Sequence, residues 1–576
     1  MNISDKKQLL RLLMIVFICF NIIKIQAQSV RGIVNLAEYI SASDTDATLA
    51  VRKALSYCKT TNAKKLVIPK GRYDFWPNQA AERYMFTSNN DEDLKRIVFL
   101  LDGFKNFEID GQNSEFIFHG FLSPFVIMKS KNIKIHNFSI DWFRTFHSEG
   151  AILRLDEDGI VLSFSEQYPY KIENGVLAFY GEKKTVYPYG GLLEFDPVKM
   201  ETAYMASDIW TTSNVPAKEI APQQIKIFVP HIKGTPGNVM VFEAGTRICP
   251  AITISDCYEI QLRDITIYHC GGMGVIAQRS SDLTLDYIQV KPRKGRVVSI
   301  TADATHFVNC RGRIVMANCL FENQLDDATN IHGVYVQVVK KISDDKIEVA
   351  LKHPQQFGFD FIKAGDMLEL VHSNSLITYA HGRVKSVKRK NKEYSIIQFS
   401  ASLPKEMLLN DVVAAVNDTP DVYIHDCIIQ GNRARGLLLG SRGKILVENN
   451  FFHTAGAAIL LEGDARFWFE QDGVRNLTIK GNNFKNCNYG IWGDAVIQAK
   501  PGIDKEYRRL SKYNQNITIE NNTFEIFYHQ LISAYSVENL IFRNNLIKHT
   551  NAYKTKSPDT QYFSLSDCFN VLIDKN

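Results

Sequence analysis

The sequence predicts an all-β chain: a right-handed parallel β-helix with an N-terminal capping helix and two inserted small antiparallel, barrel-like β modules. Three observations predict it. Short strands of alternating apolar residues recur and close on asparagine, as in Asn132–Asn137, Asn476–Asn483, Ile517–Asn522 and Asn539–Asn545. Equivalent positions repeat 23 residues apart, from Ile260 to Leu283, Val422 to Ile445 and Ile517 to Leu540. No helix follows the strands within a unit, which separates the pattern from a leucine-rich repeat. Each coil of such a solenoid lays its strands about 4.8 Å above the last. Ile, Leu and Val then point inward and polar residues outward, while asparagine tolerates the left-handed backbone of tight bends.

The elements follow in order. Residues 1–27 read as a secretory signal peptide: Lys6, Lys7 and Arg11 precede the apolar run Leu12–Phe20, and Ala27 offers a small residue at the cut. The mature chain is therefore expected to be secreted or periplasmic, or held at the cell surface. Residues 28–142 form the cap and first coils. The cap is an amphipathic helix over Thr45–Thr60 whose apolar set is Leu49, Val51, Ala54, Leu55 and Cys58, followed by the strand segment Lys65–Tyr73. It covers an end that would otherwise expose core and strand edges. Residues 143–246 and 332–420 interrupt the asparagine pattern with strand-rich stretches such as Gly159–Phe164 and Met367–Val371. They are either elaborations or walls of a cleft. Residues 247–331 and 421–576 return to coils.

Composition narrows the function. Hydrophobic residues at 45% and charged residues at 22% permit a large core. A net charge of +5 on 576 residues, without a basic block, argues against nucleic acid as partner. After the leader no stretch is long and apolar enough to span a membrane. Of ten cysteines, Cys19 lies in the leader. The other nine are odd in number, form no Cys-x-x-Cys pair and recur at similar places in the coils, which reads as small buried residues rather than disulfides or zinc ligands.

The chemistry concentrates in two segments, Val297–His306 and Asn323–Gly333. Asp303 and Asp326 stand 23 residues apart, so one coil of offset should bring Asp303, Asp326 and Asp327 into a single acidic patch. Strict alternation would send Asp326 and Asp327 to opposite faces, so the strand must end or bend there. Three carboxyls this close cannot all ionise at their ordinary pKa, and one should hold a proton near neutrality. A proton-holding acid beside a base is what glycosidic hydrolysis requires. Two other readings stay open: a calcium site serving a polysaccharide lyase, and a solvated ladder on a non-catalytic glycan-binding solenoid. No basic residue is evident beside the aspartates, which weighs against the lyase.

At these segments the chain resembles a family. The run "TAD" … "DD" … "HG" is similar to polygalacturonase-type glycosidases, and "VIPKGRY" to the opening of that β-helix superfamily. Asp44–Thr48, "ITADATHFVNCRG", "DDATNIHG", both insertions and the C-terminal coils resemble the α-1,3-galactosidases of glycoside hydrolase family 110. The resemblance implies release of terminal α-1,3-linked galactose from blood-group-B-type or linear glycans, with inversion and without metal or cofactor. Carried over by motif, Asp326 is the general acid, and Asp303 and Asp327 position and deprotonate water. His306, Asn330 and His332 flank the acids as candidate sugar ligands. Glu462 and Trp492, in segments read as the same strand column of later coils, are candidates for holding hydroxyls and stacking on the sugar; Trp468 is the alternative stacker, and Arg435 and Arg466 are possible donors. The basic segment with which polygalacturonases bind a uronic carboxylate is not evident, which fits a neutral sugar.

Overall fold

The computed structural model describes residues 32–41, 43–471, 473–556 and 561–574. The expected leader lies outside these residues. The chain winds into a solenoid of parallel strands. One continuous column runs from Leu94–Asp102 through Ser123–Met128, Ile252–Ser255, Val275–Gln278, Thr305–Val308, Thr329–Val334, Leu437–Leu439 and Ile459–Leu461 to Phe563–Ser566. The remaining faces of the coils form a second, 20-stranded parallel sheet. The sequence repeat is its register: Ile260 pairs Leu283, Val422 pairs Ile445 and Ile517 pairs Leu540. Inward residues stack on their own kind, as Phe452, Phe484 and Phe524 do at centroid spacings of 4.9 and 4.8 Å.

The asparagines do two jobs. Asn132, Asn309, Asn449, Asn486, Asn521 and Asn544 sit at positive φ in the bends. Asn450, Asn482, Asn522 and Asn545 form a buried ladder in which each of the first three side-chain amides donates at 3.0 Å to the next side-chain oxygen. Cys257, Cys310, Cys319, Cys427 and Cys487 fill small buried sites, and none of the nine described cysteines is paired.

The capping helix spans Thr48–Thr61, starting three residues later than expected, with Asp46 Oδ1 accepting from the Thr48 amide. Val51, Ala54, Leu55 and Cys58 are buried as expected. Leu49 is exposed, and Ala50 takes its place in the core. Among the described residues no helix is long and apolar enough to cross a membrane.

The first insertion is an antiparallel sheet between Ser148–Asp156 and Val239–Ala244, flanked by a three-stranded meander. The second is a closed six-stranded antiparallel barrel from Val336–Ser343 to Val412–Ala415. Strand Thr329–Val334 still belongs to the parallel column, so the expected start of this insertion at 332 falls inside a coil strand. Both insertions reach the same stretch of solenoid.

Candidate active site

Register builds the site. Thr305 pairs Thr329, and Thr329 pairs Leu437. Two residues before each strand therefore lie Asp303, Asp327 and Arg435, one above another on consecutive coils. The acidic stack pairs Asp303 with Asp327, an offset of 24, and not with Asp326 as the 23-residue spacing suggested. Asp326 sits one place earlier, in the irregular bend 323–328, which resolves the alternation problem. Carboxylate oxygens of all three aspartates lie within 4.8 Å of one another.

Three arginines compensate the cluster, contrary to the expectation of no basic neighbour. Arg435 donates its backbone amide (2.9 Å) and Nη2 (2.8 Å) to the two oxygens of Asp327. Arg247 Nη2 donates to Asp326 Oδ2 at 2.7 Å, and Arg433 Nη1 to Oδ1 at 3.3 Å. The Asp327 amide donates to Asp303 Oδ1 at 3.2 Å. Burial alone would raise Asp326, but Arg247, Arg433 and Arg435 outweigh it and hold its carboxyl at about 2. Burial, reinforced by the Asp326 charge, pushes Asp303 up to about 8. Asp327 is pushed up to about 7 by burial, with Arg435 opposing and the other two carboxylates adding to the rise. The trio thus separates into one ionised carboxylate and two proton-holding groups. The spacing of the three carboxyls could seat a cation, but three guanidiniums bring positive charge against it and already bond Asp326 and Asp327.

His306 and His332 form a hydrogen-bonded relay leading back from Asp303. His332 Nδ1 faces the Gly333 carbonyl at 2.7 Å, so it carries the proton there. Its Nε2 then accepts from His306 Nε2 at 2.9 Å. That leaves His306 Nδ1, 2.5 Å from Asp303 Oδ2, as the acceptor of the Asp303 proton. Burial lowers His306 to about 4, and lowers His332, in agreement with neutral rings. Both nitrogens of each ring have protein partners; His306 also lines the pocket, whereas His332 lies behind it.

The aspartates open into a pocket of about 430 Å³ including its mouth. His306, Asn330 and Leu438 share one outward register of the column and form its floor. The Asn330 carbonyl oxygen is buried there without a partner. Glu462 lines the wall as expected, its carboxyl pushed up to about 7 by burial, with Arg435 opposing. Trp492 does not line it: its Nε1 donates to Asp208 at 2.9 Å and its ring packs on Arg433. Trp468, 40% exposed, supplies the aromatic wall instead. Arg466 pairs with Asp504 away from the pocket.

Sequence reasoning missed Asn89, Arg247, Met273, Glu470 and the contact made by Arg433. Met273 was recoverable, since it holds the Asp303 position one coil earlier. Asn89, in a loop, and Glu470, in the short strand Glu470–Gln471 antiparallel to Gly333–Val334, are joined at 3.0 Å and belong to no repeat. The barrel braces them: the Asn89 amide donates to the Gln355 carbonyl at 2.8 Å, Gln356 donates to the Trp468 carbonyl at 2.9 Å, and His353 packs on the Trp468 ring.

Comparison with known proteins assigns the family. The domains described as "GLAA-B beta-barrel domain I" and "GLAA-B beta-barrel domain II" match residues 148–240 and 346–413, and "Right handed beta helix region" matches residues 412–576. Alpha-1,3-galactosidase A of Shewanella woodyi is 36% identical over 89% of this chain and 84% of its own. Alpha-1,3-galactosidase B of Phocaeicola vulgatus is 33% identical over 97% of both chains. The chain belongs to the α-1,3-galactosidase family. Its class is glycoside hydrolase, and alpha-1,3-galactosidase B of Bacteroides thetaiotaomicron, 31% identical over 91% of this chain and 87% of its own, lies in the same family.

Proposed function

We propose that the chain is an exo-acting galactosidase that hydrolyses terminal α-1,3-linked galactose, on branched blood-group-B-type and linear glycans, with inversion. The observation that carries the reading is the stack of Asp303 and Asp327 beside Asp326 at the base of a pocket walled by Asn89, Trp468 and Glu470. A pocket closed on these sides accepts a chain end and not a chain interior. Three carboxyls with separated affinities supply both a proton and a base. The unpartnered Asn330 oxygen and Glu462 offer acceptors to sugar hydroxyls.

Inversion draws its support from the polygalacturonase-like motif, which makes Asp326 the acid and Asp303 with Asp327 the seat of the water. Before substrate binds, the protons rest on Asp303 and Asp327, so this division requires one to pass to Asp326, within 4.8 Å, in the complex. A second reading is favoured by two observations. The carboxyls are closer than the roughly 6.5–9.5 Å usual for inverting enzymes, and Asp326 is already ionised. Asp326 would then be the nucleophile of a retaining reaction. Following the anomer first released from Gal-α-1,3-Gal by NMR decides: β-galactose supports inversion, α-galactose retention, and no galactose at all refutes both. The leader over residues 1–27 further supports export of the mature enzyme, which sequencing the N-terminus of the secreted protein tests.

A further inference from the structure

The first inserted module reaches the acidic centre through Asp208, with Trp210 and Glu243 beside it. Asp208 grips Arg433 with both oxygens, Nε to Oδ1 and Nη2 to Oδ2, each at 2.7 Å. The fork is largely enclosed, the two side chains being 12% and 11% exposed. Trp492 Nε1 donates to the same Asp208 Oδ2 at 2.9 Å. The guanidinium carbon lies 5.8 Å from the centroid of the Trp210 ring, also from the module, and 5.4 Å from that of Trp492. Arg433 has one arm left, and Nη1 turns it on Asp326 Oδ1. A planar guanidinium held bidentately has its third arm aimed by the other two. Glu243, on the module strand Val239–Ala244, adds a second acidic group facing Arg433, its Oε1 enclosed without a hydrogen-bond partner.

We propose that Asp208 is a positioning residue of the catalytic centre: it fixes Arg433 so that Nη1 meets Asp326, and so makes the first module part of the machinery. Asp208 touches no part of the pocket and acts only through Arg433. The inference rests on the reading that Asp326 is catalytic.

A double-mutant cycle on the full chain tests it. Initial rates on Gal-α-1,3-Gal are measured for the wild type, Asp208→Ala, Arg433→Met and the double variant, with circular dichroism as the check on folding. Each single change is expected to lower kcat by roughly ten- to a hundredfold, with KM nearly unchanged. The double variant is expected to match Arg433→Met alone, because the two side chains form one device. The acid limb of the kcat/KM profile moves to higher pH in Asp208→Ala, since Asp326 loses a fixed cation. Asp208→Asn, of equal size and keeping one acceptor, is the second variant should alanine unfold the module, and it loses less than alanine does. A wild-type kcat and pH profile in Asp208→Asn, or losses that multiply in the double variant, overturn the proposal. Asp326→Asn runs alongside: an active Asp326→Asn enzyme overturns the catalytic reading itself, whereas an inactive one beside a normal Asp208 variant overturns only the positioning role.

Discussion

Replacing Arg247 by methionine removes one of two cations in contact with Asp326 while filling much the same volume. Nη2 lies 2.7 Å from Oδ2, which puts the centres of charge about 4 Å apart. At an effective permittivity of about 20 the attraction is about 4 kcal/mol, and at about 1.4 kcal/mol per pKa unit that corresponds to about three units. Arg433 and Arg435 remain, and water entering the vacated space screens the rest, so a rise of about two units is expected from the present position at about 2. The assay is kcat/KM on Gal-α-1,3-Gal from about pH 3 to about pH 9, because that profile reports the free enzyme's titrating groups. The variant's acidic limb should stand about two pH units above that of the wild type, with the basic limb displaced less. An unmoved acidic limb in an active variant would refute the claim that guanidinium contacts set the charge of Asp326.

Four further outcomes follow from the same contacts. Asp303 and Asp327, pushed up to about 8 and about 7, keep their protons below those values, so a reaction that draws on them slows as pH climbs through that window; a rate independent of pH up to about 9 contradicts this. Asn482→Ala leaves the Asn450 amide and the Val447 carbonyl without their side-chain partner inside the ladder, costing roughly 2–6 kcal/mol at about 1–3 kcal/mol for each orphaned group, read as a lower midpoint in denaturant. Trp468→Ala should raise KM by roughly two- to tenfold, the worth of one ring against a sugar face, and leave kcat close to the wild type; an unchanged KM removes Trp468 from the binding wall. Chelation should leave the rate unaltered and calcium should not restore or raise it, since Arg247, Arg433 and Arg435 repel a cation and already bond Asp326 and Asp327.

The solenoid was legible because its physics is local and repeated. A bend that needs positive φ selects asparagine, and a strand facing an enclosed core alternates, so both leave a mark every coil. Asp303, Asp326 and Asp327 were legible for the same reason, although the count of 23 aligned Asp303 with the wrong partner. That interval holds on the other sheet, between Ile260 and Leu283, whereas the bend before Thr329 takes one residue more. The coupling of the histidines to Asp303 was not legible: it depends on which carbonyl the far nitrogen of His332 meets, here that of Gly333. Asn89 and Arg247 left no sign because loops obey no period, and Glu470 left none because its short antiparallel strand lies off the repeat. Trp492 was misplaced because its loop departs from the column before Ile497, carrying the ring to Asp208.

The division between repeat and loop also explains why the insertions stand where they do. Stacking coils forces whatever occupies one corner position to lie against its equivalents, and two aspartates at that position repel. A solenoid alone could relieve this only from within the stack, as Arg435 does one coil beyond Asp327. Asp326 lies off the stack, so its cations must come from the side. Arg247 arrives at the exit of the first module, its backbone tied to Asp91 at 2.7 Å. Arg433 follows the return from the second and is gripped by Asp208 of the first. Burial in the stack thus keeps protons on Asp303 and Asp327, while Arg247 from the first junction, with Arg433 and Arg435 from the bend before Leu437, keeps one off Asp326. Lengthening either insertion at its far loops should leave that separation intact, whereas shifting either junction by one residue should collapse it.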